Sequence, residues 1–166
     1  MHTLRQMFYV SRKGRNFKIL PENIESLLDE QEFAILYMDD GCTDWGYRRG
    51  IKSSPHVQPR CRIQTESFSW GDANRLGNVI KKKWSLRSEV RSRNGKGLPV
   101  IYFDSASSIA LTNLLQKFSC ESMMYKFNEE AYKKELGVVI DPLQVVRVFE
   151  EKHAIKSTTY PKVYAL

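Results

Sequence analysis

Cysteine and histidine are both scarce in this chain of 166 residues, with three of each. The cysteines form no CxxC pair, and their odd number argues against a disulfide framework: Cys42, Cys61 and Cys120. The histidines lie too far apart in sequence to suggest a zinc site: His2, His56 and His153. We therefore expect a protein of a reducing compartment whose function does not depend on cysteine or histidine chemistry.

Long apolar runs are also lacking. No segment approaches the roughly 20 apolar residues that span a bilayer, and no apolar signal-peptide core opens the chain. Residues 1–18 are rich in Arg and Lys and contain no acid. This composition fits a transit peptide, but residues 8–10 and 17–20 read equally well as strands. With 42% hydrophobic residues, the sequence predicts a soluble protein with a core of its own.

Acidic residues are sparse in the middle of the chain. Residues 44–96 contain thirteen Lys and Arg but four Asp and Glu, a formal charge of +9 compared with +7 for the whole chain. A merely soluble basic surface would spread its charge more evenly along the sequence. Concentration of one sign of charge is typical of a polyanion-binding face. We therefore expect a nucleic acid as partner.

An apolar helical segment ends abruptly in two carboxylates and a glycine at residues 33–41, FAILYMDDG. Asp29 is predicted to cap this helix at its N-terminus, with Glu32 completing a capping box. Gly41 stands where a left-handed terminating residue is favoured. Carboxylates at a helix C-terminus oppose the helix dipole. This favours a functional role for Asp39 and Asp40, such as binding a divalent cation.

Strands and helices alternate along the rest of the chain. Strands are predicted at residues 44–53, 57–68, 86–93 and 98–104, with turns at Ser53-Ser54-Pro55 and Asn94-Gly95. Other helices are predicted at residues 21–28, 69–84, 105–118 and 129–136, and from residue 141. The order α-β-β-α-β-β-α predicts an α+β domain over residues 1–127, with helices on one face of an antiparallel sheet. A helical extension is predicted at residues 128–166.

The strand patterns indicate that one face of this sheet stays open. Cys61 and Ile63 alternate with polar residues along one predicted strand, and Tyr47 and Ile51 alternate with basic residues along another. The polar positions carry mainly Arg, Lys and Gln. We predict nucleic-acid contacts from eight of them: Arg48, Lys52, Arg60, Arg62, Gln64, Arg87, Arg91 and Arg93. In a major groove Arg pairs with guanine edges and Gln with adenine edges, while other cations hold phosphates.

These features together resemble the LAGLIDADG homing endonucleases, in the branch whose motif reads Trp/Tyr-Phe/Met-x-Asp-Asp-Gly. The resemblance covers roughly residues 15–127. It rests on Asp39-Asp40-Gly41 and on three further segments: Pro21-Glu22-Asn23-Ile24, Gln64-Thr65-Glu66-Ser67-Phe68-Ser69 and Met124-Tyr125-Lys126. It implies the αββαββα fold of that family and a basic sheet that binds nucleic acid.

The resemblance also implies a metal site. In that family two such helices pack together, and the acid before each terminal glycine binds catalytic Mg²⁺. Here that position is Asp40, with Asp39 as a helper. Metal ions shared by two carboxylates activate water and neutralise charge on the scissile phosphate. An active-site Lys or Gln on the sheet is implied as well, and Gln64 and Arg62 are the candidates for it.

Because the motif occurs once, the resemblance implies half of a paired site. The chain departs from the family name at Ile35, where Gly is usual, and at Met38, which replaces the first acid. The expected function is a Mg²⁺-dependent, site-specific DNA homing endonuclease, acting as a dimer or as one half of a split enzyme.

Two other functions are compatible with the same fold. One is a non-catalytic RNA-binding derivative, either an intron maturase or a component of an organellar ribosome or ribonucleoprotein. A transcriptional regulator is less favoured, because no helix-turn-helix partner domain is present. The family resemblance suggests a mitochondrial or chloroplast location.

Overall fold

The computed structural model describes residues 8–12, 14–48, 51–52, 58–93 and 97–136, and for residues 12, 15, 48, 51 and 52 the backbone alone. Two short strands, β1 (Tyr9–Arg12) and β2 (Arg15–Lys18), open this part and pair as an antiparallel hairpin. The strand interpretation of the N-terminal region is therefore confirmed for this hairpin. Residues 1–7 lie outside the described part.

Two helices follow, α1 (Ile24–Leu27) and α2 (Glu30–Asp40). The Asp29 carboxylate accepts hydrogen bonds from the backbone N–H groups of Gln31 and Glu32, at 2.7 and 3.1 Å. This confirms the predicted N-cap, which satisfies donors that the first helical turn leaves free. Helix α2 buries Phe33, Ala34 and Tyr37 on one side.

The strands that follow form one sheet and one separate hairpin. In chain order they are β3 (Gly41–Asp44), β4 (Tyr47–Arg48), β5 (Ile51–Lys52), β6 (Arg60–Gln64), β7 (Ser88–Ser92) and β8 (Pro99–Phe103). Strands β3, β6, β8 and β7, in that spatial order, form a four-stranded antiparallel sheet, and β4 pairs with β5.

Helices α3 (Trp70–Trp84) and α4 (Ser105–Leu115) cover the sheet together with α2. Ser69 and Asp104 cap them by accepting from the backbone N–H groups three residues later. Two 3-10 segments, Gln116–Phe118 and Glu121–Lys126, lead to α5 (Glu129–Glu135). The predicted α+β fold, with helices on one face of an antiparallel sheet, is confirmed.

The core lies between the helices and the sheet. A row of paired positions crosses the sheet on the covered face: Gly41, Ile63, Ile101 and Val90. Ile63 and Ile101 are fully buried there, and the ring of Phe33 stacks on that of Trp84 at 4.8 Å between centroids. Burial of these apolar side chains is the main stabilising contribution to the domain.

Three sequence predictions are wrong in detail. Gly41 is extended, with φ −82° and ψ 151°, because α2 passes directly into β3 without a left-handed turn. The predicted strand 44–53 is instead the end of β3 and the hairpin β4–β5. The predicted alternation of Tyr47 and Ile51 with basic residues is also wrong. The hairpin register pairs Tyr47 with Lys52 and Arg48 with Ile51, and paired positions share a face. The two basic positions therefore fall on opposite faces.

Other predictions fall outside the described residues. They are the helix from residue 141 and the turns at Ser53-Ser54-Pro55 and Asn94-Gly95. No helix in the part that the structure describes has the length and apolar composition to span a membrane.

Candidate active site and nucleic-acid interface

The C-terminus of α2 presents Asp39 and Asp40 at the edge of the sheet, because β3 begins at the next residue. The Asp39 side chain is exposed, and that of Asp40 is partly exposed. Glycine is required at position 41. A Cβ there would lie 2.3 Å from the backbone oxygen of Tyr37 and 2.5 Å from its ring. The close passage of β3 under Tyr37 therefore fixes the two carboxylates at the helix end.

A lysine from the N-terminal hairpin contacts Asp40. The Nζ atom of Lys18 lies 3.7 Å from Oδ2 of Asp40, and 4.7 Å from the centre of the Phe68 ring. The cation is thus held between a carboxylate and an aromatic face, both of which attract it. Among the described residues, Lys18 is the cation in ion-pair contact with Asp40.

A second lysine approaches the same helix end from the 3-10 segment Glu121–Lys126. Lys126 donates from Nζ to the backbone oxygen of Met38, one of the carbonyls that a helix C-terminus leaves free. Partial burial lowers the pKa of Lys126, while the nearby charges of Cys42, Asp39 and Asp40 act to raise it. The site therefore combines two carboxylates with two ammonium groups.

The sequence did not identify these two lysines as site residues. Lys126 belongs to a segment that matches the family, but it lies 88 residues from Met38 in the chain. No local pattern indicates that contact, and the N-terminal strands give no sign that Lys18 reaches Asp40. The predicted candidates lie elsewhere: Arg62 donates to the Cys42 sulfur at 3.3 Å, and Gln64 accepts from Arg93 at 3.3 Å.

A buried hydroxyl chain holds Lys126 in place. Thr43 donates from Oγ1 to the backbone oxygen of Lys126 at 2.5 Å, so the hydroxyl of Tyr37, 2.6 Å away, donates to Thr43. The indole N–H of Trp45 donates to the backbone oxygen of Tyr125 at 3.0 Å. Burial raises the pKa of Tyr37 well above its ordinary value. Strand β3 thus anchors both α2 and the segment that carries Lys126.

The residues at this helix end fit a divalent cation of the magnesium type. Carboxylate oxygens are hard ligands, and Mg²⁺ commonly uses only one or two protein carboxylates, with water and phosphate in the remaining positions. Asp40 and Asp39 are such donors. Within the described ranges, no group of three or more His, Cys, Asp or Glu side chains forms a complete metal cage. The described residues at this helix end therefore offer part of a metal site.

The uncovered face of the sheet carries four of the eight predicted binding residues, namely Arg60, Arg62, Gln64 and Arg91. One row of paired positions across it is formed by Cys42, Arg62, Tyr102 and Glu89, and the next row includes Gln64, Val100 and Arg91. Arg60 pairs with Asp44 at the strand ends. Arg60 and Arg91 are exposed, as is Arg87 in the loop before β7. The alternation in β6 and β7 is therefore as predicted.

Acidic side chains neutralise part of the positive charge of this face. Arg91 contacts Glu89 at 2.5 Å and Arg93 contacts Glu66 at 3.3 Å. The hydrogen bond from Arg91 lowers the pKa of Glu89. Both pairs are solvent-accessible, so they are weak and open to exchange for a phosphate. The face is basic, but its net positive charge is smaller than the number of Lys and Arg residues in the strands indicates.

A groove of about 680 Å³ lies on this face. It runs between the ends of β3 and β6 and the start of β7, and four arginines and three acids line it together with other residues: Asp44, Arg60, Cys61, Arg62, Arg87, Ser88, Glu89, Arg91, Tyr102, Phe103, Asp104 and Ser105. The groove thus brings together predicted contact residues from two separate parts of the sequence, around β6 and around the start of β7.

Helix α5 packs against the β4–β5 hairpin beside the sheet. The hydroxyl of Tyr47 donates to Oε1 of Glu129 at 2.6 Å, and the ring of Tyr47 lies 6.0 Å from that of Tyr132. The predicted contact positions Arg48 and Lys52 belong to this hairpin, where the structure describes only their backbone. The predicted division of the chain at residue 127 stays a prediction.

Comparison with known proteins identifies relatives of this chain. The LAGLIDADG DNA endonuclease family matches residues 1–111. Cytochrome b mRNA maturase bI2 of Saccharomyces cerevisiae is 29% identical over 118 residues, which are 70% of this chain and 25% of that protein. DNA endonuclease I-ChuI of Chlamydomonas applanata is 27% identical over 128 residues, 74% of this chain and 55% of that protein.

A solved structure has the same fold. The homing endonuclease I-WcaI, bound to its DNA recognition sequence, superposes with a TM-score of 0.57 at 22% sequence identity. The match covers 71% of this chain and 48% of that one. The chain thus spans about half or less of the length of these relatives.

Proposed function

The chain belongs to the LAGLIDADG DNA endonuclease family, and from this membership we propose that it binds duplex DNA and cleaves it site-specifically with Mg²⁺. One observation carries the proposal. Asp40 ends α2 beside the open face of the sheet, in contact with Lys18 and close to Lys126. Carboxylates and ammonium groups at one helix end suit phosphodiester hydrolysis, because the reaction needs a metal ligand and positive charge at the phosphate.

Each part of the site has a role in this proposal. Asp40 holds the metal ion, and Asp39 assists it. When bound, the ion activates water and neutralises charge on the scissile phosphate. Lys18 orients the Asp40 carboxylate and adds positive charge beside it. Lys126 supplies a second positive charge at the helix end.

In this proposal the uncovered face of the sheet binds the DNA. Its exposed arginines hold phosphates and position the duplex, while side chains in the rows across the sheet face the base edges. Arg60 and Arg87 flank the groove and lie outside the two ion pairs of this face, so we assign phosphate contacts to them.

The catalytic unit in this proposal is a pair of domains. This domain carries one α2 helix and one Asp40, whereas cleavage of both strands needs two sets of metal ligands. The relatives are longer than this chain, and the match spans 25%, 55% and 48% of their lengths. We therefore propose that a second domain of the same fold completes the site, either as a second copy or as a different half.

Substitution of Asp40 tests the proposal. With Mg²⁺ and DNA from the chain's own genetic locus, we expect nicking or cleavage by the wild-type protein and loss of at least about 100-fold in rate for Asp40→Asn. Because the substitution is isosteric and lies at the helix end, DNA affinity should stay nearly unchanged. Asp39→Asn is the matched comparison and should lose less. Equal activity of wild type and Asp40→Asn would disprove a metal role for Asp40.

An RNA-binding function is the second candidate, because a maturase is among the relatives. In that case the same face would hold an RNA backbone and Asp40 would be dispensable. Identification of the nucleic acid that co-purifies with the protein separates the two functions: duplex DNA supports the endonuclease, and structured RNA supports the alternative. The predicted mitochondrial or chloroplast location stays a prediction.

A further inference from the structure

The β4–β5 hairpin is too short to be stable by itself. Its two strands, Tyr47–Arg48 and Ile51–Lys52, have two residues each, and they form a two-stranded sheet that is separate from the four-stranded one. An isolated two-stranded hairpin is marginally stable at best in water. The orientation of this hairpin therefore depends on contacts with other parts of the domain.

Helix α5 supplies such contacts through one side chain of the hairpin. The Tyr47 hydroxyl donates to Oε1 of Glu129 at 2.6 Å, and the Tyr47 ring lies 6.0 Å from that of Tyr132. Nζ of Lys133 lies 5.9 Å from the centre of the Tyr47 ring and 3.7 Å from the same Glu129 oxygen. Burial among these groups raises the pKa of Tyr47, and the hydrogen bond with Glu129 raises it further. Three side chains on one face of α5 thus surround Tyr47.

Helix α5 depends on the hairpin in turn. It has seven residues, and none of them is buried. Asn128 caps it by accepting from the backbone N–H groups of Glu130 and Ala131 at 3.0 and 3.1 Å. Even a capped helix of this length is marginal without packing partners. Hairpin and helix therefore stabilise each other as a local unit, which opens at a lower free-energy cost than the buried sheet.

This unit borders the groove of the sheet face. Asp44 lines the groove, and its Oδ1 accepts from the backbone N–H of Gly46 at 2.8 Å, just before the hairpin begins. Burial raises the pKa of Tyr132 on α5, and the nearby charge of Asp44 adds to the effect. The hairpin also carries two of the predicted contact positions, Arg48 and Lys52. Its orientation therefore determines where these positions lie along a duplex bound in the groove.

We propose that Tyr47 and Glu129 are positioning residues for DNA recognition, whose hydrogen bond fastens the β4–β5 hairpin to α5 in the orientation that binds the duplex. We call this hydrogen bond the latch. The inference rests on the proposed function, because it assigns α5 a part in DNA binding. Without the latch the hairpin has to be ordered at the moment of binding, so the DNA affinity falls by the cost of that ordering. The metal site at the end of α2 is not involved.

Hydrogen exchange of the full chain, followed by mass spectrometry, tests the latch without nucleic acid. Tyr47→Phe removes the donor and Glu129→Ala removes the acceptor. We expect the amides of residues 45–52 to exchange about three- to tenfold faster in both variants, while those of β6 and β8 keep the wild-type rate. Glu129→Gln removes the same charge as Glu129→Ala but keeps an acceptor oxygen, so it should restore protection. Glu135→Ala, the same change elsewhere on α5, should exchange like the wild type.

DNA binding and cleavage of the same variants test the positioning role. The probe is a duplex from the chain's own genetic locus, with affinity measured by fluorescence anisotropy and the rate by single-turnover cleavage at saturating protein with Mg²⁺. We expect Tyr47→Phe and Glu129→Ala to bind about three- to tenfold more weakly and to cleave at the wild-type rate once saturated. Charge alone predicts the opposite for Glu129→Ala, because loss of an acid strengthens binding to a polyanion. Glu129→Gln should bind like the wild type or more tightly.

Three results would overturn the inference. Wild-type exchange of the hairpin in Tyr47→Phe and Glu129→Ala would exclude the latch. Faster exchange with unchanged DNA affinity would exclude its part in recognition, and a lower cleavage rate at saturation would place the two residues in catalysis. A wild-type protein that does not bind the duplex would instead refute the proposed function. The exchange measurement uses neither DNA nor Mg²⁺, so its outcome is distinct from that of the Asp40→Asn test.

Discussion

The ammonium group of Lys18 lies 3.7 Å from the Asp40 carboxylate, so a strand near the beginning of the described chain contacts the end of α2. The pair is only partly exposed, with about 30% of each side chain accessible. A metal ion that binds Asp40 shares the carboxylate with this cation. Lys18 therefore influences both metal affinity and the charge available to a phosphate.

Replacement of Lys18 by Met should separate these two effects. We expect the Mg²⁺ concentration for half-maximal cleavage to fall about two- to fivefold, because a competing cation is removed from Asp40. The maximal rate should fall as well, because positive charge at the phosphate is lost. Single-turnover cleavage across a Mg²⁺ titration measures both quantities. Lys134→Met, an exposed change on α5, is the control, and an unchanged Mg²⁺ requirement in Lys18→Met would contradict the competition.

Replacement of Lys126 by Met should act mainly on the rate. Lys126 contacts the Met38 carbonyl at the helix end and is not among the residues that line the groove of the sheet face. We expect single-turnover cleavage to slow by about 100-fold, a typical effect of losing one electrostatic contact in an active site. DNA affinity should change by less than about threefold. Lys126→Arg keeps the charge and should recover part of the rate, whereas a parallel loss of affinity and rate would place Lys126 in binding.

The buried Tyr37 hydroxyl should make stability depend on pH in alkaline solution. Burial raises the pKa of Tyr37 in the folded protein, whereas the tyrosine of the unfolded chain ionises near pH 10. The stabilising contribution of the neutral phenol is therefore present below about pH 10 and is lost as the pH rises further.

Tyr37→Phe should have a flatter alkaline limb in urea denaturation measured between about pH 8 and 11. At neutral pH it should be less stable by about 1 kcal/mol, since Thr43 loses its hydrogen-bond donor. Tyr9→Phe, at an exposed tyrosine, should leave both quantities unchanged. An alkaline limb as steep in Tyr37→Phe as in the wild type would show that another group causes it.

Gly41→Ala should destabilise the fold strongly. The added Cβ would lie 2.3 Å from the Tyr37 backbone oxygen, and neither backbone segment can move without disturbing α2 or β3. We expect a loss of about 1–3 kcal/mol or more in the free energy of unfolding, as for other overpacked sites. Gly71→Ala is the matched control, because its Cβ would meet only Ser69 at 3.7 Å and alanine favours the helix. Equal stability of the two variants would exclude a steric requirement at Gly41.

Arg60→Ala and Arg87→Ala should each reduce the salt dependence of DNA binding. Each phosphate contact contributes about −0.9 to the slope of log affinity against log salt on duplex DNA. Fluorescence anisotropy at several salt concentrations measures that slope. Arg91→Ala should have a smaller effect, because Glu89 already pairs with the guanidinium. Lys117→Ala, in the 3-10 segment that follows α4, should leave the slope unchanged, because Lys117 pairs with Glu30.

Local sequence patterns were sufficient for much of the fold. The cap at Asp29, the apolar spacing of α3 and the alternation in β6 each depend on neighbours within a few residues, and all are present in the structure. The motif at Asp39 and Asp40 was equally local. Gly41 was misjudged because its requirement comes from Tyr37 and from β3, and not from a turn.

The sequence by itself determined the α+β fold, the family, the helix that ends at Asp40 and the basic strands of the sheet, because each follows from periodicity, caps or a contiguous motif. Only the tertiary structure decided which cations surround that carboxylate. Lys18 and Lys126 reach the end of α2 from parts of the sequence far apart, since the β1–β2 hairpin places Lys18 beside Asp40 and the 3-10 segment that holds Lys126 packs on β3. It also decided that α5 packs against the β4–β5 hairpin, because Tyr47 and Glu129 are 82 residues apart in sequence and no local pattern indicates their contact.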